Sequence, residues 1–340
     1  MDLAEWRCLE KTIVYCGDND LLSPWPMKLH QIQALVASAE TGSIRAAARS
    51  LGISQAAVTR ALRELEASQK LPLLVRAPSG LTFTQFGSAL LTHARLVLNQ
   101  LDLAENELAE MRGRAEGKLC VGITPWVMHS FLPETIMDFR RQMPSVRLEL
   151  YESLMAITQP LLRDGTMDFV VGYLQSSVTE FVSDPLLTYE TAVLVRRDHS
   201  RRDSRSIHDL LDQNWALNYA PDGHDALMDH LFWRFGANIE EHQIVRAHSS
   251  SMMQTLVEAG MCTWSPAVLS RMPPFVDRVV TVPLQEQFEP RLLSIITRRN
   301  NTRSSAAACF IDCLRKVIRR RSRSGNKEER QIFDTLTLIA

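Results

Sequence analysis

Between residues 29 and 66, apolar positions recur at helical spacing and predict three short helices. Ser43 starts the second helix, Gly52 ends it, and Ser54 starts the third. One face of the third helix carries Ala57, Val58, Ala61, Leu62 and Leu65. Its other face is polar, so the helices around Gly52 predict a helix-turn-helix. Short apolar segments around a Pro-Ser-Gly turn at 71–84 predict a β-wing.

A longer helix is predicted from Phe86 to Arg112, because its apolar residues alternate at spacings of four and three. They are Leu90, Ala94, Val97, Leu101, Ala104, Leu108 and Met111. This period is typical of coiled coils, and a lone helix would leave its apolar seam in water. We expect the seam to pair with a second copy; packing against the chain's own domain is the alternative. Gly113 and Gly117 then indicate a hinge.

From residue 118 onward, predicted strands and helices alternate, which indicates an α/β domain with largely parallel sheets. Its length suits two lobes. We expect lobe 1 to contain residues 118–187 and 292–320, and lobe 2 to contain residues 188–291. The DNA-binding domain is then residues 27–85, and the linker is residues 86–117.

The two ends of the chain differ from the rest. Residues 1–26 have no clear periodicity, and we expect an N-terminal extension or a start codon assigned too early. A genuine extra element is the alternative. From Arg319 the composition turns polar, so we expect residues 321–340 to be mostly disordered, although residues 332–340 are apolar enough to be anchored.

The net charge of the whole chain is −1, which does not by itself suggest DNA binding, but the charges are unevenly distributed along the chain. Lys28 to Arg76 contains seven cations and three acids, a surplus of four positive charges, so a basic module is joined to a more acidic remainder. No apolar run is long enough to span a bilayer and no export signal is present, so we expect a cytoplasmic protein without membrane contact. The six cysteines lack metal-ligand spacing, and we expect no metal or cofactor.

Two other classes of function were weighed. An enzyme on an α/β scaffold is disfavoured because the chain has no Gly-x-Ser-x-Gly elbow, no phosphate-binding Gly-Lys-Ser/Thr loop and no paired metal ligands. A solute-binding protein needs an export signal and has no use for a helix-turn-helix. A DNA-binding transcription factor is therefore the leading hypothesis.

Residues 27–87 resemble the N-terminal domain of LysR-type transcriptional regulators. The matching positions are Leu29, Ile32, Leu35, Ala39, Gly42, Ser43, Ala46, Ala47, Leu51, Ile53, Ser54, Gln55, Ala57, Val58, Leu62, Leu65, Glu66, Leu73, Leu74, Arg76, Leu81, Phe83, Thr84 and Gly87. Three positions depart from the family pattern: Ala56 replaces a usual proline, Thr59 a usual serine, and Ser79 a common basic residue of the wing.

The resemblance covers about residues 27–320 and implies a winged helix-turn-helix, a linker helix and a two-lobed effector domain similar to periplasmic binding proteins. It further implies a homodimer that binds pseudo-palindromic double-stranded DNA, a tetramer formed through effector domains, and a small-molecule effector in the interlobe cleft. We also expect RNA polymerase among the partners. More loosely, the positions around Gly165, Asp168 and Trp215 resemble regulators of aromatic sulfonate and aminobenzoyl-glutamate catabolism, which favours an organic, aromatic anion as effector.

Candidate DNA contacts lie on the helix-turn-helix. Gln55, Thr59 and Arg60 are placed near the start of the recognition helix, where such side chains contact base edges. Five others are candidates for phosphate contacts: Ser43, Arg49, Ser54, Arg63 and Arg76. A local salt bridge from Arg63 to Glu64 or Glu66 is the alternative for that arginine.

Candidate effector contacts lie at turns that follow predicted strands. They are Thr124, Pro125, Trp126, Ser153, Ser249 and Gly223. A hydroxyl and free N–H groups at a helix start bind anions, but serine and threonine there are also ordinary helix caps. For Trp126 the alternatives are stacking on an aromatic ligand and packing inside its lobe. The resemblance places effector contacts at Thr124 and Ser153.

Overall fold

The computed structural model describes residues 26–77, 80–111, 117–153, 155–174, 179–219, 223–299 and 302–339. The chain divides into two compact units, one ending at Ala94 and the other beginning at Arg95. No helix in these ranges is both long enough and apolar enough to cross a membrane. Residues 1–25 of the predicted extension and residues 112–116 of the predicted hinge lie outside the described residues.

The first unit contains three helices, a two-stranded antiparallel wing and the start of a long helix. Its elements are α1 (Leu29–Thr41), α2 (Ile44–Leu51), α3 (Gln55–Gln69), β1 (Leu74–Ala77), β2 (Gly80–Phe83) and α4 (Gln85–Met111). Ser43 and Ser54 cap α2 and α3 by accepting hydrogen bonds at 3.1 Å from backbone N–H groups. Gly52 ends α2 with a φ of 66°, which favours glycine. The predicted winged helix-turn-helix is confirmed.

Two contacts fix the wing and α4 against the helical core. The Glu66 carboxylate accepts the N–H groups of Leu73 and Leu74 at 2.9 and 3.1 Å, so it holds the start of β1. Gly87 lies so close to the chain that an added Cβ would be 2.0 Å from the Leu73 carbonyl oxygen. Any side chain at residue 87 would therefore displace α4 from the wing.

The helix α4 has 27 residues and carries apolar side chains on an exposed face. Val97, Leu101, Leu108 and Met111 are exposed, whereas Ala94 is buried. Another face contacts the helix's own unit: Arg95 forms an ion pair with Asp164 at 2.6 Å, and Asn99 donates to the Asp164 carbonyl. From Val97 onward, the seam predicted to dimerise is thus left largely uncovered by the described residues of one copy.

The second unit has two lobes, of which lobe 1 contains one sheet and lobe 2 contains two. The elements of lobe 1 are β3 (Gly117–Ile123), α5 (Pro125–Ser130), α6 (Leu132–Gln142), β4 (Val146–Glu152), α7 (Met155–Arg163), β5 (Phe169–Gly172), β6 (Phe181–Tyr189), β12 (Arg291–Arg298), α10 (Ser305–Ser322), α11 (Lys327–Phe333) and β13 (Leu336–Leu338). Its six strands follow the order β13, β6, β12, β5, β3, β4. Phe139, Phe169 and Phe310 pack together beneath this sheet.

The elements of lobe 2 are β7 (Thr191–Arg196), β8 (Trp215–Leu217), α8 (His224–Leu231), β9 (Ile244–Arg246), α9 (Ser250–Glu258), β10 (Thr263–Pro266) and β11 (Val279–Thr281). Strand β7 lies between β10 and β11, and β8 pairs with β9. Trp215 and Phe232 lie edge to face in the core of this lobe. The chain enters lobe 2 at Glu190, between β6 and β7, and β12 is the strand after its return.

The expectation of largely parallel sheets was wrong. Strand β3 runs parallel to β4 and β5, and β8 runs parallel to β9, but all other described pairs are antiparallel. The physical reason is the connection between lobes: β6 leads the chain out and β12 brings it back, so these neighbours run in opposite directions. A strand buried on both faces appears in the sequence as an apolar run, and such a run does not show whether the neighbouring strands are parallel or antiparallel.

Two further expectations are corrected. The sequence from Met128 to Arg141 has the periodicity of one amphipathic helix, but the structure divides it at Phe131, because Pro133 follows and cannot donate an interior helical hydrogen bond. The tail expected to be mostly disordered forms α11 and β13. Its buried apolar residues, Ile332 and Leu336, pack into lobe 1, and β13 pairs with β6. The polar composition of the tail concealed these apolar anchors.

Candidate DNA interface and ligand cavity

The outward face of α3 gathers four of the predicted DNA contacts. Gln55, Thr59, Arg60 and Arg63 border one shallow open depression together with Ala56 and Glu64. The Thr59 hydroxyl donates to the Gln55 carbonyl oxygen at 2.9 Å, so it also stabilises its own helix. The arginines are exposed beside it. This surface offers amide and guanidinium donors, the groups that pair with base edges and phosphates.

The salt-bridge alternative for Arg63 is not favoured by the positions of the two acids. Glu66 is engaged with the backbone of the wing, and Glu64 accepts from Gln31 at 3.4 Å. Both carboxylates therefore have other hydrogen-bond partners. The guanidinium of Arg63 remains exposed on the depression.

The predicted phosphate contacts are distributed around this helix. Arg49 is exposed in the last turn of α2, and Ser43 and Ser54 are caps whose oxygens accept backbone N–H groups. A capping hydroxyl keeps its own proton for a second acceptor. Arg76 lies on β1, and its side chain and all of Ser79 are outside the described residues.

A cavity of about 510 Å³ lies within the second unit and is lined by residues of both lobes. Five of the six predicted effector residues line it: Thr124, Pro125, Trp126, Ser153 and Gly223. Ser249 does not. Its hydroxyl accepts the N–H of Met252 at 3.2 Å and caps α9, and the next residue, Ser250, takes its place in the lining.

The Thr124 hydroxyl is not a helix cap, and the Ser153 hydroxyl pairs with another side chain. Thr124 precedes α5 but its side chain makes no capping hydrogen bond. Ser153 is buried, and its oxygen is 3.2 Å from the Thr158 hydroxyl. The start of α5 is a weaker anion site than expected, because this helix has six residues and Pro125 removes one of its N–H groups.

Trp126 both packs within its lobe and lines the cavity. Only 1% of it is exposed, and its ring centre is 6.1 Å from that of Phe131 and 5.3 Å from that of Tyr189. No described residue accepts a hydrogen bond from its indole N–H. Most of this side chain is therefore used for packing, as in the packing alternative, and its N–H donor is available to another acceptor.

The most unusual charge in the cavity, which was not predicted from the sequence, is Arg291 at the start of β12. The guanidinium carbon is 4.3 Å from the ring centre of Tyr173 and 4.2 Å from that of Trp264. Tyr173 follows β5 in lobe 1, whereas Trp264 lies on β10 in lobe 2. Arg291 thus makes cation–π contacts with both lobes. The one available signal was a basic residue directly before an apolar strand.

The charges around the cavity are one-sided. Its lining includes Arg234 and Arg291 but no aspartate or glutamate among the described residues. Burial lowers the pKa of Arg291 and raises the pKa of the Tyr189 phenol to about 12. Burial, with Arg291 and Arg234, lowers the pKa of His230 to about 4, although Glu289 and Asp229 act in the opposite direction. At neutral pH the lining is therefore positive, with neutral His230 and Tyr189.

A second bridge joins the lobes beside the cavity. Glu152, at the end of β4, accepts the backbone N–H of Ser250 at 2.6 Å. Ser250 is the first residue of α9, so a carboxylate of lobe 1 meets the N-terminal end of a helix in lobe 2. Among the described residues, no three His, Cys, Asp or Glu side chains are grouped in a way that would hold a metal ion.

Comparisons with known proteins agree with this geometry. Residues 29–88 match the profile of the bacterial regulatory helix-turn-helix proteins of the lysR family, and residues 112–319 match the LysR substrate binding domain. The transcriptional regulator GalR of Pseudomonas putida is 29% identical over 299 residues, which are 86% of this chain and 75% of that protein. The regulator TdcA of Escherichia coli is 24% identical over 298 residues, 86% of this chain and 93% of that protein.

Solved structures show the same fold. A full-length OxyR variant from Pseudomonas aeruginosa has a TM-score of 0.59 and 22% identity, covering 86% of this chain and 95% of its own. Full-length CbnR in complex with its target DNA has a TM-score of 0.56 and 22% identity, covering 86% of this chain and 100% of its own. Helix-turn-helix, long helix and two-lobed domain therefore occur together in full-length relatives.

Proposed function

The chain belongs to the LysR family of DNA-binding transcriptional regulators, and we propose that a small organic anion in the interlobe cavity controls its binding at promoters. One observation carries the proposal. A cavity of about 510 Å³ is lined by both lobes, and its only charged lining groups among the described residues are arginines. This volume is in the range of small-molecule sites, and a ligand that contacts both lobes can favour one lobe arrangement.

The proposed DNA contacts are those of the α3 surface. Gln55 and Arg60 form bidentate pairs with base edges, and Thr59 contacts a thymine methyl. Ser43, Arg49, Ser54, Arg63 and Arg76 hold phosphates and fix the position of the helix. The solved structure of CbnR with its target DNA supports this use of the fold.

We propose that two copies pair through the apolar seam of α4 and that dimers associate into tetramers through the effector domains. A twofold-symmetric pair then binds two half-sites of a pseudo-palindromic duplex. The protein acts in the cytoplasm, where it meets its promoters and RNA polymerase. Its role is regulatory and not catalytic, as it is for the regulators with which the chain aligns.

The effector class follows from the one-sided charge. Carboxylates and sulfonates on aromatic rings are the first candidates, because the lining combines arginines with apolar and aromatic residues. Thr124 and Ser153 contribute hydroxyls from lobe 1, and Gly223 lies at the edge contributed by lobe 2. Ser250, not Ser249, is the serine of α9 proposed to contact the ligand.

A selection from a pool of random duplexes tests the DNA-binding part. The full chain should enrich inverted repeats, and binding to them should weaken steeply with salt. The enriched duplex is then titrated with the protein in the presence of aromatic carboxylates and sulfonates. Enrichment of no sequence would contradict the regulatory role, whereas an enriched duplex whose affinity no compound changes would contradict control by this ligand class.

A further inference from the structure

We infer that Arg291 is the anchor of the effector and that the effector is a carboxylate carried on a flat, largely apolar ring. The inference rests on the proposed function, because it needs a ligand in the interlobe cavity. It goes further by naming the residue that receives the anion, the geometry of the anionic group and the shape of the remainder.

No ion pair among the described residues gives Arg291 a counter-charge, although its side chain is largely buried. A buried cation without a partner is costly, and proteins keep such groups mainly where they perform a function. Among the described residues, the other arginine of the cavity lining is Arg234, which lies 3.4 Å from the Asp229 carboxylate. Arg291 is therefore the positive charge left for a ligand.

The Arg291 guanidinium carbon lies over the rings of Tyr173 and Trp264, at 4.3 and 4.2 Å from their centres. In such contacts a guanidinium commonly stacks its face on the ring. The N–H groups of a guanidinium lie in its plane and point away from such rings. A planar carboxylate in the same plane can accept two parallel hydrogen bonds. The rings also limit the rotation of the side chain, which reduces the entropy cost of binding.

The wall that surrounds this charge is largely apolar. Apolar residues from several elements line the rest of the cavity: Trp126, Tyr189, Leu194, Leu227, Val257 and Phe275. A flat ring buries apolar surface here, whereas a sugar or a small dicarboxylate does not. The indole N–H groups of Trp126 and Trp264 are donors only, and no described residue accepts from them. They favour a ring that also carries an acceptor such as a hydroxyl or carbonyl oxygen.

Arg291 also connects ligand binding to the arrangement of the lobes. It lies on β12, one of the strands that carry the chain between lobes, and its two rings belong to different lobes. A carboxylate at its N–H edge changes the charge held between Tyr173 and Trp264. Ligand binding is thereby coupled to the contact between lobes. Control requires that the ligand bind one arrangement of the lobes more tightly than another, and this coupling supplies that difference in affinity.

Thermal unfolding of the full chain with ring compounds tests the inference. The probes are benzoate, 4-hydroxybenzoate, 2-naphthoate and indole-3-acetate, each with its neutral amide, and benzenesulfonate as a non-planar anion. At least one carboxylate should raise the melting temperature by about 2 °C or more, and its amide should not. Titration calorimetry should then show at least about a tenfold loss of affinity in Arg291→Gln and an intermediate loss in Arg291→Lys.

Arg246→Gln is the matched control. Arg246 also lies over a tyrosine ring, at 5.0 Å from the ring centre of Tyr219, but it does not line the cavity. It should bind the carboxylate as the unaltered chain does. This control separates loss of the anion site from loss of an arginine–tyrosine contact elsewhere in the second unit.

Four outcomes would overturn the inference. Equal stabilisation of the unaltered chain and Arg291→Gln would remove Arg291 as the anchor. Equal stabilisation by an acid and its amide, or stronger stabilisation by benzenesulfonate, would remove the carboxylate. Failure of every carboxylate would remove the ring acid as ligand. None of these results affects DNA selection, so failure of the regulatory role is recognised separately.

Discussion

The surface of α3 and the interlobe cavity both depend on arginine, but they place it in opposite surroundings. Arg60 and Arg63 are exposed on one helix, where water and salt screen each charge. Arg291 lies against rings from two lobes, and no acid among the described residues forms an ion pair with it. Because of this screening, no single exposed arginine carries a large electrostatic free energy by itself. An enclosed arginine has a large desolvation cost, so its contribution depends on the group that pairs with it.

The largest expected effect concerns packing around the cavity. Trp126→Ala should lower the free energy of unfolding by about 3–5 kcal/mol, because an almost fully buried ring contacting Phe131 and Tyr189 is removed. Urea denaturation of the full chain measures this loss. Trp126→Phe, which keeps a ring, is the control and should lose much less. A cost below about 1 kcal/mol for Trp126→Ala would mean that the cavity wall relaxes and is not a rigid site.

The next effect concerns the number of α3 surfaces in the assembly. Leu101→Glu places a charge on the exposed seam of α4 and should reduce the oligomer mass measured by light scattering. Asp102→Glu, at the adjacent exposed position, keeps the charge and should leave the mass unchanged. An unaltered mass for Leu101→Glu would contradict pairing through this helix. It would also leave each α3 surface without a symmetric partner.

Within the α3 surface, the two kinds of contact should separate. Gln55→Ala should weaken binding to the selected duplex by about 1–3 kcal/mol and leave non-specific binding nearly unchanged. Arg63→Ala should weaken both kinds of binding similarly and reduce the salt slope by about one. Fluorescence anisotropy at several salt concentrations measures the affinity for the selected duplex and for a duplex of unrelated sequence. Equal losses of affinity for these two duplexes in Gln55→Ala would refute direct contact with a base.

The smallest effect concerns the neutral histidine of the cavity. The pKa of His230 is lowered from about 6.5 to about 4 in the folded protein, so the unfolded chain takes up the proton first as the pH falls. Stability is fully present above pH 6.5 and decreases between pH 6.5 and 4. Because the side chain is only half-buried, we expect a contribution on the order of 1 kcal/mol.

The histidine prediction is checked by urea denaturation across this pH range. His230→Gln should lose less stability than the unaltered chain as the pH is lowered from 7 to 4. His242→Gln, an exposed position outside the cavity, is the control. An identical pH dependence in the unaltered chain and His230→Gln would show that this histidine does not contribute.

Predictability differed between the regions for a physical reason. Helix caps and turns depend on a few neighbouring residues, so Ser43, Gly52 and Ser54 indicated α2 and α3 directly. Thr124 and Ser153 also follow strands, and they line the cavity as expected. Ser249 follows the same local rule, yet its hydroxyl is used in capping and the cavity receives Ser250. A serine or threonine after a predicted strand indicates where a turn lies, but it does not indicate the direction in which each side chain points.

The order of strands and the tail lay beyond such local rules. Strand direction depends on where the chain leaves lobe 1 and returns, which fixes β6 and β12 as antiparallel neighbours. The tail is held because β13 adds to the edge of that sheet beside β6. A polar composition predicts disorder only where no sheet edge or apolar pocket is available to the segment.

By itself, the sequence determined that this protein has a helix-turn-helix, a long helix with an apolar seam and a two-lobed α/β domain, because periodicity, caps and glycine turns act over short distances. Only the tertiary structure decided which charge lies in the cavity. Arg291, Tyr173 and Trp264 are far apart along the chain, and folding of both lobes brings them into contact. A buried charge acquires its role from its surroundings, which no local pattern records.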